Sequence, residues 1–152
     1  MNTHNKITPF LWFDKDMSSI LAYYAGVFKD FEIVKREKMS ETPSGDVEIV
    51  TVRFFDNTYN FMTASPMFRF NEAISFVIDC DGQEEVDYYW DYFVKDGAES
   101  MCGWCKDKYG VSWQIVPKQM YELMSLKDKE VSNFAMQKML HMKKIVIADL
   151  KR

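Results

Sequence analysis

Apolar positions along the chain recur with two different periods, and the periods alternate in blocks. "ITPFLWF", starting at Ile7, reads as a strand, and in "DKDMSSILAYYAGVF" behind it Met17, Ile20, Leu21, Tyr24 and Phe28 fall at helical spacing. Asp14 or Asp16 stands where a carboxylate caps such a helix. The succession then returns. "AISFVIDC" predicts a second strand, and "DGQEEVDYYWDYFV" places Val86, Tyr89, Trp90 and Phe93 on one helical face, with Asp81 and Glu84 spaced as a capping box. The two helices share letters as well: "YYAGVFKD" from Tyr23 and "YYWDYFVKD" from Tyr88 align as Tyr-Tyr, three residues, Phe, then Lys-Asp after one inserted residue.

Each helix is followed by short alternating segments. In the first half these are "FEIVKREKM", "VEIVTVRFF" and "TYNFMTA", with a turn at "SETPSGD"; in the second they are "GAESMCGW" and "VSWQIVP", with a turn around Asp107 to Gly110. The two halves are therefore read as one β-α-β-β-β repeat, the second with one of its closing strands not separately marked, and "TASPMFRFNE", with Pro66, marks the junction. After Pro117 the period becomes helical in "KQMYELMSL" and "DKEVSNFAMQKMLHMKKIVIADLKR", with Val131, Phe134, Met139 and Met142 among the apolar positions. The expectation is an α+β protein forming a single domain over 1–152. It comprises two tandem βαβββ modules, 6–66 and 67–117, and a helical tail, 118–152, packed on the sheets or on a partner subunit.

Composition narrows the function classes. With 152 residues, 47% of them hydrophobic, the chain can bury a full core. A net charge of -4 leaves no broad basic surface to neutralise phosphates, which argues against nucleic acid as a partner. No run approaches the ~20 apolar residues of a membrane span, and "MNTHNKITPF" lacks the pattern of a secretory signal, so a cytoplasmic location is expected. Three cysteines, Cys80, Cys102 and Cys105, are an odd number and fit free thiols in a reducing compartment. The C-x-x-C spacing inside "MCGWCKDKYGVSWQIVP" admits three readings. A redox motif needs the first Cys at a helix N-terminus, and a zinc knuckle needs four donors where Cys80 is the only other thiol. Small buried side chains are the favoured reading, with Gly103 and Gly110 serving the backbone.

"ITPFLWFD", "FNEAISFVIDCD", "CGWCKDKYGVSWQIVP" and "MLHMKKIVIADL", set on two βαβββ repeats, resemble the PhnB-like branch of the vicinal oxygen chelate superfamily. Members of this branch often carry the label 3-demethylubiquinone-9 3-methyltransferase. The superfamily includes glyoxalase I, extradiol dioxygenases and bleomycin-resistance proteins. The resemblance implies a cup closed by two modules, in which His or Glu at four strand positions hold a divalent metal. In this chain those positions fall on or next to Pro9, near Ala73, near Phe61 or Met62, and on Gln114, with Glu72 adjacent to the second. His4 and His141 lie outside both modules. The resemblance therefore implies a cup with no metal and no cofactor. If Gln114 faces that cup, strand alternation brings Ser112, Leu11 and Phe13, and Ser75 and Val77 to the same lining, a mostly apolar pocket with polar anchors suited to a small organic ligand. The alternative is that these side chains simply fill the cup.

No catalytic constellation stands out. No His is placed near Cys102 or a serine, and Glu48, Glu72 and Asp79 are acids of the kind that usually face solvent or cap helices. The six glycines are scattered, with no G-x-G-x-x-G after a strand, so the methyltransferase label finds no support in the residues. Two classes remain: a metal-free small-molecule binding protein, and a metal-independent enzyme using Cys102 or an acidic residue. The many aromatics, the helical tail and the resemblance to proteins that pair their modules lead us to expect a homodimer.

Overall fold

The computed structural model describes residues 6–152. The chain divides into two compact units between Arg69 and Phe70. The first contains β1 (Phe10–Phe13), α1 (Met17–Val27), β2 (Glu32–Thr42), β3 (Gly45–Phe54) and β4 (Asn57–Thr63). Its sheet has the order β1-β4-β3-β2, with β1 parallel to β4 and the remaining neighbours antiparallel. Of the two capping candidates Asp16 is the one used: its carboxylate accepts the Ser19 N–H at 2.9 Å. The core is aromatic. Phe13 packs edge-on against Tyr24 and Phe61, while Phe54 is stacked between Phe28, at 4.1 Å, and Tyr59, at 4.3 Å. Such pairs contribute about 0.5–1.5 kcal/mol each beyond the area they bury.

The second unit repeats the plan with β5 (Phe76–Cys80), α2 (Gln83–Asp96), β6 (Ala98–Glu99), β7 (Trp104–Lys106) and β8 (Ser112–Pro117), ordered β5-β8-β7-β6 with β5 parallel to β8. Both sheets thus place the first and last strand of the repeat side by side. "GAESMCGW", which reads as one strand in sequence, is broken into β6 and the start of β7. Cys102 (φ 59°) and Gly103 (φ 81°) turn the chain back there, and the break supplies the strand that the sequence pattern left out of the second repeat. The expected capping box also differs. The residue before α2 is Gly82, at φ 96°, and the carboxylate that reaches back to the Asp81 N–H belongs to Glu85, not Glu84. Asp81 is meanwhile paired with Lys118. Gly82 occupies a backbone region closed to side chains, which moves the helix start by one residue.

The segment after β8 forms α3 (Lys118–Met124), α4 (Lys129–Leu140) and a 3-10 turn over Ile147–Leu150, all in the second unit. Val116, Met120, Ala135, Ile145 and Leu150 make its core, with Leu123, Met124, Met139 and Met142 packed at the edge. The buried face of α4 is narrower than the apolar spacing suggests: Ser132 and Ala135 face inward, Val131 is exposed and Phe134 is half-buried. Two small side chains let the helix approach closely. The chain beyond α4 is then pinned by backbone groups. The Cys102 N–H donates to the Met142 carbonyl at 2.7 Å and the Gly103 N–H to that of Lys143 at 2.8 Å. The Gln83 amide donates to the Ile145 carbonyl and accepts from the Ile147 N–H, and Lys144 pairs with Asp87 and Asp91 on α2.

Gly97 marks the tightest approach in this unit, since a Cβ there would lie 1.9 Å from the Lys106 carbonyl oxygen and 2.7 Å from that of Phe93. Both obstacles are backbone. Gly97→Ala is expected to destabilise the fold by about 3 kcal/mol or more, a melting temperature lower by about 6–12 °C. Thermal unfolding followed by circular dichroism checks this, with Gly45→Ala as a comparison that carries only the strain of a positive φ (82°), since its Cβ would meet nothing within 4 Å.

Candidate functional site

The candidate site is the face of the second sheet turned away from α2. Phe93 of α2 stacks on Trp113 at 4.9 Å, which assigns Trp113 and its neighbours Phe76 and Cys105 to the helix side. Alternation then puts Val77, Gln114 and Trp104, which lie side by side across β5, β8 and β7, on the opposite face, with Ser112 paired to Lys106 two residues away. Gln114 Nε2 donates to Ser75 Oγ at 2.9 Å. Val77 is 48% exposed, and Gln114, Trp104, Lys106 and Ser75 are half-buried. Ser112 is only 2% exposed and its hydroxyl has no hydrogen-bond partner among the described residues. Lys106 forms an ion pair with Glu72, and this hydrogen bond is the main cause that holds the Glu72 carboxyl below its usual range.

Four of the six sequence-derived site residues, Ser75, Val77, Ser112 and Gln114, are therefore brought together. The other two are not. Leu11 (7% exposed) and Phe13 (1%) lie on the helix side of the first sheet, where Phe13 meets Tyr24 of α1. The outward positions of β1 are Phe10, 53% exposed, and Trp12, whose indole donates to the Ser65 carbonyl. Since all four side chains of "FLWF" are apolar, the alternation in this strand carries no sign of which pair faces the helix. Missing from the sequence reading were Lys106 and Trp104. The sequence pattern hides them because "WCKDKYG" reads as the end of a strand followed by a turn; the register of β7 against β8 is what reveals them.

The donor set does not fit a divalent ion. Pro9 offers only its carbonyl, which accepts the Asn60 N–H. Phe61 is core, Met62 is a thioether on the other face, and Ala73 has no donor side chain. Glu72 is held by Lys106 and the Gln114 amide by Ser75. His141 is tied to the Gln137 carbonyl through Nδ1, at 2.8 Å, and His4 lies outside the described residues. Among the described residues no group of three or more His, Cys, Asp or Glu side chains is arranged to hold a metal. Hard cations are held by several oxygen donors, commonly carboxylates, and here a single neutral amide stands at the four positions.

The C-x-x-C pair has a structural use. Cys102 and Gly103 form the turn that receives the tail, and neither Cys102 nor Cys105 opens a helix. Burial, followed by the neighbouring carboxylate of Asp107, pushes the Cys105 thiol up to about 12. Burial, followed by Glu85, Asp79 and Asp81, does the same for Cys80. No described helix is long and apolar enough to cross a membrane.

The sequence matches the family model of 3-demethylubiquinone-9 3-methyltransferase over residues 5–116. The chain belongs to this PhnB-like family of the vicinal oxygen chelate superfamily. Among solved structures, the PhnB-like chain is similar to a PhnB protein from Bacillus cereus bearing the same methyltransferase label, at 29% identity and a TM-score of 0.61, over 74% of this chain and 98% of that one. At 13% identity and a TM-score of 0.55 it shares its fold with the fosfomycin resistance protein FosX from Mesorhizobium loti, over 74% of this chain and 90% of that one. A glyoxalase family protein from Bacillus cereus, 8% identical with a TM-score of 0.51 over 77% and 98% of the two chains, has the same fold. A search of curated proteins finds no match. The match to the PhnB-like family ends at Val116, so α3, α4 and the final turn lie beyond it. The methyltransferase in the family's name is a label alone. The PhnB-like fold has two four-stranded sheets instead of a doubly wound parallel sheet, and its glycines serve turns and close approaches.

Two reactivity results follow for the thiols. Iodoacetamide at pH 8 is expected to label Cys102 and to spare Cys80 and Cys105 until denaturant is added, as read by mass spectrometry of digests. The two buried thiols stay protonated when folded but ionise in the unfolded chain from about pH 9, so stability falls as pH rises between about 9 and 12. Urea midpoints measured across that range, against the Cys80→Ala variant, test the sign.

Proposed function

We propose that this PhnB-like protein binds a small organic molecule, without a divalent metal, on the open face of its second sheet. The observation that carries this reading is the arrangement at Gln114. Where the resemblance places the last metal ligand there is a neutral amide, already oriented by Ser75 and set beside the exposed Val77 and the half-buried Trp104. Apolar surface interrupted by a few fixed polar groups suits an organic ligand better than a hydrated ion. A FosX from Listeria monocytogenes, 17% identical, was solved with Mn(II) and sulfate; the donors at the four positions named above set this chain apart from such metal use. A metal-independent enzyme is the second reading. Glu72 and Lys106 favour it, as ionisable groups on the same face, but each neutralises the other.

A homodimer and a cytoplasmic location complete the proposal. Phe10 in the first unit and Ile74 in the second are large apolar side chains left exposed, as in surfaces that pair with another copy, and three free thiols suit a reducing compartment. Sedimentation equilibrium at micromolar concentration is expected to return twice the 18.0 kDa chain mass, and a uniform single-chain mass would remove the dimer.

For the site itself, native mass spectrometry of freshly purified protein is expected to show a retained small molecule. Elemental analysis after dialysis should find no stoichiometric Zn, Ni, Mn, Fe or Mg. Near-equimolar metal that disappears in Gln114→Ala would overturn the metal-free reading.

A further inference from the structure

Three observations on the second sheet converge on one side chain. The Ser112 hydroxyl is buried and unpartnered, a state that costs about 1–3 kcal/mol in a folded chain unless a ligand relieves it. Lys106 is its direct neighbour across the β7–β8 ladder, close enough for the two side chains to act on one group. The Lys106 ammonium is neutralised by Glu72, which precedes β5. Since β8 lies between β5 and β7 in this sheet, the Glu72–Lys106 pair reaches across the beginning of β8, where Ser112 stands. A carboxylate of the chain itself thus occupies the place opposite the cation, on the residue that neighbours the orphaned hydroxyl in the ladder.

We propose that Lys106, Ser112 and Gln114 form a receiving site for the carboxylate of a small planar organic acid, with Glu72 as the intramolecular carboxylate that the ligand displaces. The inference rests on the preceding reading, that this face binds a small molecule, and adds the charge and shape of the ligand. The displaced pair is exposed and so weakly held, whereas a ligand oxygen gains a charge-assisted bond from Lys106 and relieves the Ser112 hydroxyl. Trp104, next to Gln114 in the ladder and half-buried, offers a flat surface for the body of such a ligand, with Val77 on the other side of Gln114. The chemistry exchanges one carboxylate for another on the same ammonium, and no covalent bond is made or broken.

The test uses the full chain with benzoate as probe and benzamide as its neutral counterpart, followed by NMR of the Trp104 indole and Gln114 side-chain amide resonances. Benzoate is expected to shift both in a saturable way and benzamide to shift neither. Lys106→Met should weaken benzoate binding at least about tenfold while Lys106→Arg retains it. Glu72→Gln should tighten it about threefold by removing the competitor. Ser112→Ala should weaken it several-fold and yet raise the melting temperature of the free protein, a combination that a purely structural serine would not produce. Equal binding of benzamide, or an unchanged affinity in Glu72→Gln, overturns the anion site and leaves the small-molecule reading standing. Absence of any shift with benzoate also overturns it, and a neutral molecule retained in native mass spectrometry would then show that the broader reading survives alone.

Discussion

The second unit is organised by one buried carboxylate. Asp107 is almost wholly inaccessible, and its two oxygens accept the N–H groups of Tyr109 and Val111 and, at 2.9 Å, the indole N–H of Trp113. Buried charge is tolerated only when fully hydrogen-bonded, and here the bonds also dictate geometry. The first two close the turn between β7 and β8. The third fixes Trp113 on the helix side of the sheet, where it stacks on Phe93. Because alternation has period two, fixing Trp113 inward obliges Ser112 and Gln114 to face outward, and the turn sets Lys106 opposite Ser112. The chemistry of the open face is thus decided by a group that never reaches it.

Much of this was legible in the sequence, and the failures have a physical pattern. The repeat, both long helices and the order of elements could be read from periodicity, because a helix that buries Val86, Tyr89, Trp90 and Phe93 has only one amphipathic arrangement. Facing could be read where polar and apolar residues alternate, as in "SWQIVP", and not where they do not, as in "FLWF", which is why Ser75 and Gln114 were placed together and Leu11 and Phe13 were misplaced. The break inside "GAESMCGW" was invisible because it depends on Cys102, a residue with a side chain, adopting a positive φ. That conformation is uncommon for such residues and is held here by two hydrogen bonds to segments forty positions away.

The positions where the resemblance implies metal ligands carry residues that serve the fold. The Pro9 carbonyl accepts the Asn60 N–H, Phe61 is core, and the Gln114 amide donates to Ser75. Each role is local and leaves the ladders intact. A fold whose sheets are held by backbone bonds and aromatic packing can change what its open faces recognise at little cost to its stability.

The anchoring of the tail has a kinetic meaning. In the first unit the most extensive pairing, β2 with β3, is a hairpin that can zip up from its turn at Thr42 and Gly45, and only β1 on β4 must be brought together over a long loop. The second unit has a longer closure still. Its Cys102–Gly103 turn waits for the carbonyls of Met142 and Lys143, and Gln83 waits for Ile145 and Ile147 more than sixty residues later. Until that long loop closes, Val116 and Met120 lack the side chains that cover them. Two repeats with the same strand order therefore close over loops of different length, and in the second the apolar surface of Val116 and Met120 is covered only when the longer loop is made.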